Sequence, residues 1–176
     1  MSERFPTEVT IGGFLPAGKL EEFATIVEAE GLGIEWEPSS CKSIIKSLKE
    51  AIRKGTNVSF SATELTGGLV EVLEDFCVNN NLSFVRRVDG KNDFNGEIVW
   101  WKPGMPDTAS WEFTDKNAAK IMISREALEE KARSGLTLED ILKELHAVAP
   151  EPPALTTNPK RKPRTKSGKA FDPFDL

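Results

Sequence analysis

Residues Val9–Glu30 set out a short alternating strand, a glycine turn and an amphipathic helix, and the same pattern returns 49 positions later. Val9, Ile11, Gly18, Leu20, Glu22 and Phe23 align in this way with Val58, Phe60, Gly67, Leu69, Glu71 and Val72. After a slip of one residue, Leu32 and Ile34 precede Leu82 and Phe84 by 50 positions. Each copy therefore reads as a β-α-β unit, about residues 9–36 and 58–88. Two such units in a short chain predict an α/β (α+β) domain with a mixed sheet covered by helices, on a ferredoxin-like plan. The prediction rests on hydrophobic period and does not require that the two units share an ancestor.

Between the units, Pro38-Ser39-Ser40 opens a helix that runs to Lys54 and ends at Gly55, with Ile44, Ile45, Leu48 and Ile52 as its apolar stripe. Basic residues crowd its last turn. The first unit's helix is expected over about Lys19–Glu30, with Gly31 as a left-handed cap, and its second strand over Leu32–Trp36. In the second unit the strand Asn57–Ala62 leads to a helix marked by Leu69, Val72, Leu73 and Phe76, then to the strand Leu82–Val88. A β-rich extension follows over residues 97–123, with strands at Glu97–Trp101, Ser110–Thr114 and Lys120–Ile123. Two helices, Ser124–Ser134 and Thr137–Val148, close the body. Thr137 stands three residues before Asp140, a variant of the capping box.

This places one folded domain in residues 1–148 and a disordered tail in 149–176, where proline, threonine and lysine follow one another without period. The charge divides at the same point. Beyond Val148 there are six basic and three acidic residues, which leaves 17 basic and 25 acidic residues in the body, a net charge near −8. An acidic body repels nucleic acid, whereas the basic tail attracts it. No apolar run is long enough to span a bilayer. The first residues lack the basic and apolar regions of a signal peptide. Cys41 and Cys77 both fall in expected helices, so buried inert thiols and a cytoplasmic setting are expected.

Several motifs resolve into ordinary structure. Gly13-Phe-Leu-Pro-Ala-Gly18-Lys19 has the spacing of a phosphate-binding loop, but Leu20 stands where the magnesium ligand belongs and Pro16 removes an amide. It reads as a helix entry turn. Counted from Asp89, Lys91, Phe94 and Trp100 occupy the third-ligand, glycine and closing-glutamate positions of a calcium loop, so the oxygen-rich segment Asp89–Glu97 reads as a turn. His146 is the only histidine, and no close cysteine pair exists, which argues against a zinc site. No nucleophile elbow or paired-acid signature stands out, and no catalytic residue, metal or cofactor is assigned.

Two features point to binding. All four tryptophans, Trp36, Trp100, Trp101 and Trp111, fall in expected strands, and no tyrosine is present. Adjacent Trp100 and Trp101 must point to opposite faces of a strand, so one is core and the other is either a partner-binding ledge or covered by the closing helices. The second feature is the tail. Lys160, Arg161, Lys162, Arg164, Lys166 and Lys169 form a string of cations able to lie along phosphates without reading sequence. Phe171, Phe174 and Leu176 then alternate with Asp172 and Asp175 in a peptide suited to another protein's groove. The expected function is a non-enzymatic cytoplasmic binding or adaptor protein. Its body would engage a protein partner, and its tail would add weak, non-specific nucleic-acid contacts and a docking peptide. An acidic inhibitor or nucleic-acid mimic is the alternative, and an enzyme with a dispersed carboxylate site the third reading.

Overall fold

The computed structural model describes residues 3–91, 94–113, 121–146 and 149–158. It is an α+β fold built on one mixed sheet. The strands are β1 (Arg4–Phe14), β2 (Val58–Thr66), β3 (Leu82–Val88), β4 (Gly96–Trp101), β5 (Ala109–Phe113), β6 (Ile121–Met122) and β7 (Leu155–Thr156). Their order is β2-β1-β3-β4-β5-β6, with every neighbour antiparallel, while β7 pairs in parallel with the end of β1. The helices are α1 (Leu20–Ala29), α2 (Cys41–Lys54), α3 (Glu71–Asn79), α4 (Arg125–Arg133) and α5 (Leu138–His146).

Alternation along the strands separates two faces. Val9 and Ile11 of β1, Val58 and Phe60 of β2, Phe84 of β3, and Val99 and Trp101 of β4 share one core with Phe23 and Val27 of α1, Ile44 and Leu48 of α2, and Leu73 and Phe76 of α3. Helix α1 packs against both α2 and α3. Its terminal Glu30 reaches across, where Oε1 accepts a 3.0 Å bond from the amide of Val72 in the first turn of α3. Gly55 ends α2 with φ 66°, the left-handed cap that its sequence announces.

The opposite face is smaller and more polar. Ile98, Trp100 and Phe113 form a second cluster there. Phe113 pairs with Gly96, and its ring lies where a side chain on Gly96 would stand. The Arg87 guanidinium sits 4.6 Å from the centre of that ring.

The second unit, β2-α3-β3, places β2 and β3 on either side of β1, the interleaving that a ferredoxin-like plan requires. The first unit does not complete the plan. Residues 32–36, expected as a strand, make a single antiparallel bridge, Gly33 to Ser61 on the outer edge of β2. The chain then turns away at Trp36, whose φ is 63°.

The body also continues past the boundary expected at Val148. Residues 149–158 lie against the sheet end: Leu155 is buried, and its amide donates to the Thr56 carbonyl at 2.9 Å. The backbone of Pro153 crosses so close over Gly12 that a β-carbon there would overlap its carbonyl. This accounts for glycine at position 12; β1 itself runs on through Gly12-Gly13, where a turn was expected, by pairing with Ser83 and Leu82 of β3. Among the described residues, no helix is long and apolar enough to cross a membrane.

Candidate functional site

The site expected at the paired tryptophans is occupied by the protein itself. Trp100 and Trp101 do point to opposite faces of β4, but both are almost fully buried, 8% and 6% exposed. Trp101 joins the helix-covered core, and its Nε1 donates to the Met105 carbonyl at 3.2 Å. Trp100 packs with Ile98 and Phe113, and residues 150–153 line the shallow depression beside it. The tip of the 102–106 loop thus serves as a hydrogen-bonding lid for Trp101. Residues Lys160, Arg161, Lys162, Arg164, Lys166, Lys169, Phe171, Phe174 and Leu176 lie outside the described residues.

Trp36 is different. It is 43% exposed, and it holds a left-handed backbone that bulky residues rarely adopt. The surrounding hydrogen bonds over-determine that conformation. Gly33 and Ser61 exchange backbone bonds of 2.9 and 2.7 Å. The Trp36 amide donates to Ser61 Oγ at 2.9 Å, and the Ile34 amide donates to Ser39 Oγ at 3.1 Å. The Ser39 amide closes the loop on the Leu32 carbonyl at 3.3 Å. Gly33 is required because a β-carbon there would overlap the Glu37 carbonyl. A knot of eight residues is thereby tied to the edge of β2 and raises an indole between the exposed carboxylates of Glu35 and Glu37, with exposed Ile34 nearby in the chain. A non-glycine residue in this region costs about 1–3 kcal/mol and persists only where the surrounding structure holds it.

Leu32, Ile34 and Trp36 alternate in the sequence, which is why Trp36 is expected in a strand. Pro38 is the available signal that the strand cannot continue, since it has no amide to give to a sheet ladder.

The remaining polar groups bind one another. A depression of about 300 Å³ lies on the polar face, lined by Thr10, Asn57, Ser59, Val85, Ala149, Glu151 and Pro152. Thr10 and Ser59 share a hydroxyl–hydroxyl bond of 2.8 Å, and Asn57 Nδ2 donates to Glu151 Oε1 and the Pro152 carbonyl at 3.2 Å each. These contacts fasten the 149–156 segment to the sheet. In the glycine loop, Lys19 Nζ is taken by Glu22 Oε2 at 2.6 Å, ahead of the helix it opens. Lys91 and Phe94 exchange backbone bonds of 3.1 and 3.0 Å. Among the described residues, no cluster of three or more histidine, cysteine or acidic side chains could hold a metal ion. Both cysteines are free, and burial pushes the Cys77 thiol far above its ordinary range.

Among the described residues, one charged cluster centres on a buried side chain, Arg86, between α3 and the sheet. Arg86 donates through Nε to Glu74 Oε1 at 2.6 Å and through a terminal nitrogen to the Gly68 carbonyl at 3.0 Å, with Glu97 Oε2 3.5 Å away. Burial pushes the Glu74 carboxyl above the usual carboxylate range. The Arg86 charge and hydrogen bond oppose that shift, and Glu97 and Asp75 add to it. Arg86 is enclosed by its partners, which makes the cluster a tie between α3, β3 and β4.

No protein-family model, no curated protein and no solved structure matches this chain.

Proposed function

We propose that the chain is a non-enzymatic, cytoplasmic binding protein that captures a protein partner through Trp36. One observation carries this reading: an exposed indole is held at positive φ by a loop whose hydrogen bonds converge on that conformation. A rigid aromatic anchor loses little freedom on binding and is the residue type most enriched where interfaces gain their energy. Glu35 and Glu37 flank it, so the complementary surface is an apolar pocket with a basic rim.

The terminal peptide carries the same chemistry, since Phe171 and Phe174 stand beside Asp172 and Asp175. A partner with two such pockets, or two copies of one, would be held at both points, with the intervening chain as the link. In this reading Lys160, Arg161, Lys162, Arg164, Lys166 and Lys169 add weak phosphate contacts.

The carboxylates bear on the alternative reading as a mimic. Many described ones are engaged with cations, including Glu22, Glu64, Glu74, Asp89 and Glu129, and α2 interrupts them with five basic residues. That scatter favours binding through a local anchor over imitation of a polyanion.

The test is capture from an extract of the host cell by immobilised full-length protein. It is compared with Trp36→Ala, with Phe171→Ala/Phe174→Ala and with the triple variant. Partial loss in each of the first two and complete loss in the third is expected. A Trp36→Ala protein that is folded and retains every captured species would remove the reading.

A further inference from the structure

Helix α2 carries a second surface, which the acidic average of the body conceals. Lys42, Lys46, Lys49 and Arg53 follow one another at i, i+4, i+7 and i+11. At 100° per residue they fall within roughly 60° of arc, and at 1.5 Å per residue they span roughly 16 Å. All four are exposed, opposite the face that buries Ile44, Leu48 and Ala51. No carboxylate among the described residues lies within ion-pair distance of any of them. The single acid of α2, Glu50, is held instead by Lys54 at 2.7 Å; that pairing, with smaller contributions from the charges of Arg53 and Lys46, keeps its carboxyl below the usual range.

This arrangement differs from the solvated helices of the same chain. On α4, Glu129 receives both Arg125 and Arg133, and on α5 Glu139 receives Lys143, each at i,i+4 spacing. Several cations elsewhere are similarly satisfied, as in Arg4 with Glu64, Lys19 with Glu22 and Arg87 with Asp89, while Lys91 and Lys102 stand apart from any described carboxylate as single charges. On α2 the neighbours along the stripe are like charges that repel one another. The contrast in charge is large. Residues 1–149 hold 17 basic and 25 acidic residues, and α2 holds five and one. The helix is therefore +4, and the rest of that span, with 12 basic and 24 acidic residues, is −12.

We propose that the α2 stripe is a nucleic-acid backbone site, one that seats a double helix along the ridge formed by Lys42, Lys46, Lys49 and Arg53. A straight, rigid row of cations suits a regular row of phosphates. Duplex DNA offers one phosphate per roughly 3.4 Å of axis on each strand, but the strand winds around that axis, so a straight ridge of roughly 16 Å meets only about three or four phosphates. The stripe itself contains no aromatic or amide side chain to read bases, so the contact is indifferent to sequence. The surrounding negative field repels the polymer from other faces and orients it on α2. The site shares no residue with the Trp36 anchor or with residues 160–176, and it replaces the expectation that the folded body only repels nucleic acid.

The test uses the full chain and a labelled duplex of arbitrary sequence, with affinity measured across a salt series. The comparison is a variant with Lys42, Lys46, Lys49 and Arg53 all changed to Gln. Neutralising Z phosphates gives a log–log salt slope near −0.9Z for duplex DNA. The variant's slope should therefore be shallower by about 3 to 4, and its affinity at low salt lower by at least 100-fold. A second variant, neutral at Lys160, Arg161, Lys162 and Arg164, should keep the stripe's share of the slope. Circular dichroism and thermal melting confirm that each variant is folded. An unchanged slope in the folded stripe variant would overturn the proposal. So would tighter binding of poly-glutamate than of the duplex, which would make the stripe a site for acidic protein. Equal or tighter binding of the single strand, with its slope near −0.7Z, would overturn the assignment to a double helix.

Discussion

The Arg86 Nε lies 2.6 Å from Glu74 Oε1, and the two side chains are 5% and 16% exposed, so the pair joins β3 to α3 almost out of contact with water. Removing one partner of such a pair leaves a buried charge. Glu74→Leu should cost about 3 kcal/mol or more, moderated because Glu97 and the Gly68 carbonyl still face the guanidinium. Replacing both residues by apolar ones of similar size, Glu74→Leu with Arg86→Met, should recover much of that loss. Urea titration of the two variants checks this.

The same pair has a signature in pH. Because burial raises the Glu74 carboxyl in the folded protein, the native state holds this proton at pH values where the unfolded chain has released it. Its contribution to stability is therefore fully present below the ordinary value of 4.5 and is lost as pH rises from there through the raised folded value. Glu74→Gln cannot titrate. The stability of the wild type relative to Glu74→Gln should fall as pH climbs above 4.5, and thermal melts at a series of pH values from 4 upward measure the difference. A relative stability that rises with pH would reverse the assignment.

The short β7 strand should be essential. Leu155 is 1% exposed, and Leu-to-Ala changes in cores cost about 2–5 kcal/mol. Leu155→Ala should lower the melting temperature by roughly 5–15 °C at about 2–4 °C per kcal/mol. A chain ending at Pro150 should lose at least as much, whereas one ending at Asn158 should keep the full melting temperature. Gly12→Ala should resemble the shorter truncation, because its methyl group meets the Pro153 carbonyl.

Trp36 permits a comparison that isolates its strain. Changing it to alanine or to glycine removes the same indole, so the two variants differ mainly in the cost of a positive φ. Alanine ordinarily outranks glycine by restricting the unfolded chain. At position 36 the order should invert, with glycine the more stable by about 1 kcal/mol, since a left-handed backbone penalises any β-carbon. Chemical denaturation of the two proteins decides it. Alanine as the more stable variant would mean that the knot relaxes and stores no strain.

Hydrophobic period made most of this fold legible. Leu82–Val88 occupies the span expected of it, α2 ends at Lys54 before a left-handed Gly55, and Thr137 and Asp140 cap α5 reciprocally, at 3.2 and 3.1 Å. What remained hidden depended on partners distant in sequence. Gly12 reads as a strand terminator until it is seen to pair with Ser83 and to lie under Pro153, and a two-residue β7 among prolines has no period to detect. Trp36 matched its neighbours in alternation, and only the bond to Ser61 shows why the chain leaves the extended region. The α2 stripe was fully visible as a spacing of four, three and four. It was obscured because charge was averaged over the whole body, where 25 acids mask five cations on one helix.

That stripe sets the last prediction, a trade between stability and binding. Lys49 stands three residues after Lys46 and four before Arg53, so it takes part in two like-charge contacts. Glutamate at position 49 would turn both into attractions, with the acid N-terminal to Arg53 in the favourable orientation. At about 0.2–0.5 kcal/mol for each repulsion removed and each attraction gained, Lys49→Glu should stabilise the fold by roughly 1 kcal/mol. Its two new partners would then be drawn away from any polyanion, and the ridge would carry a negative charge near its centre. Duplex affinity should fall more than it does for Lys49→Gln, while the melting temperature rises by about 2–4 °C. A Lys49→Glu protein that is less stable than wild type would show that the stripe is already balanced by charges on neighbouring elements. Opposite movement of the two quantities is the signature of a helix whose charges are held at a cost for a ligand.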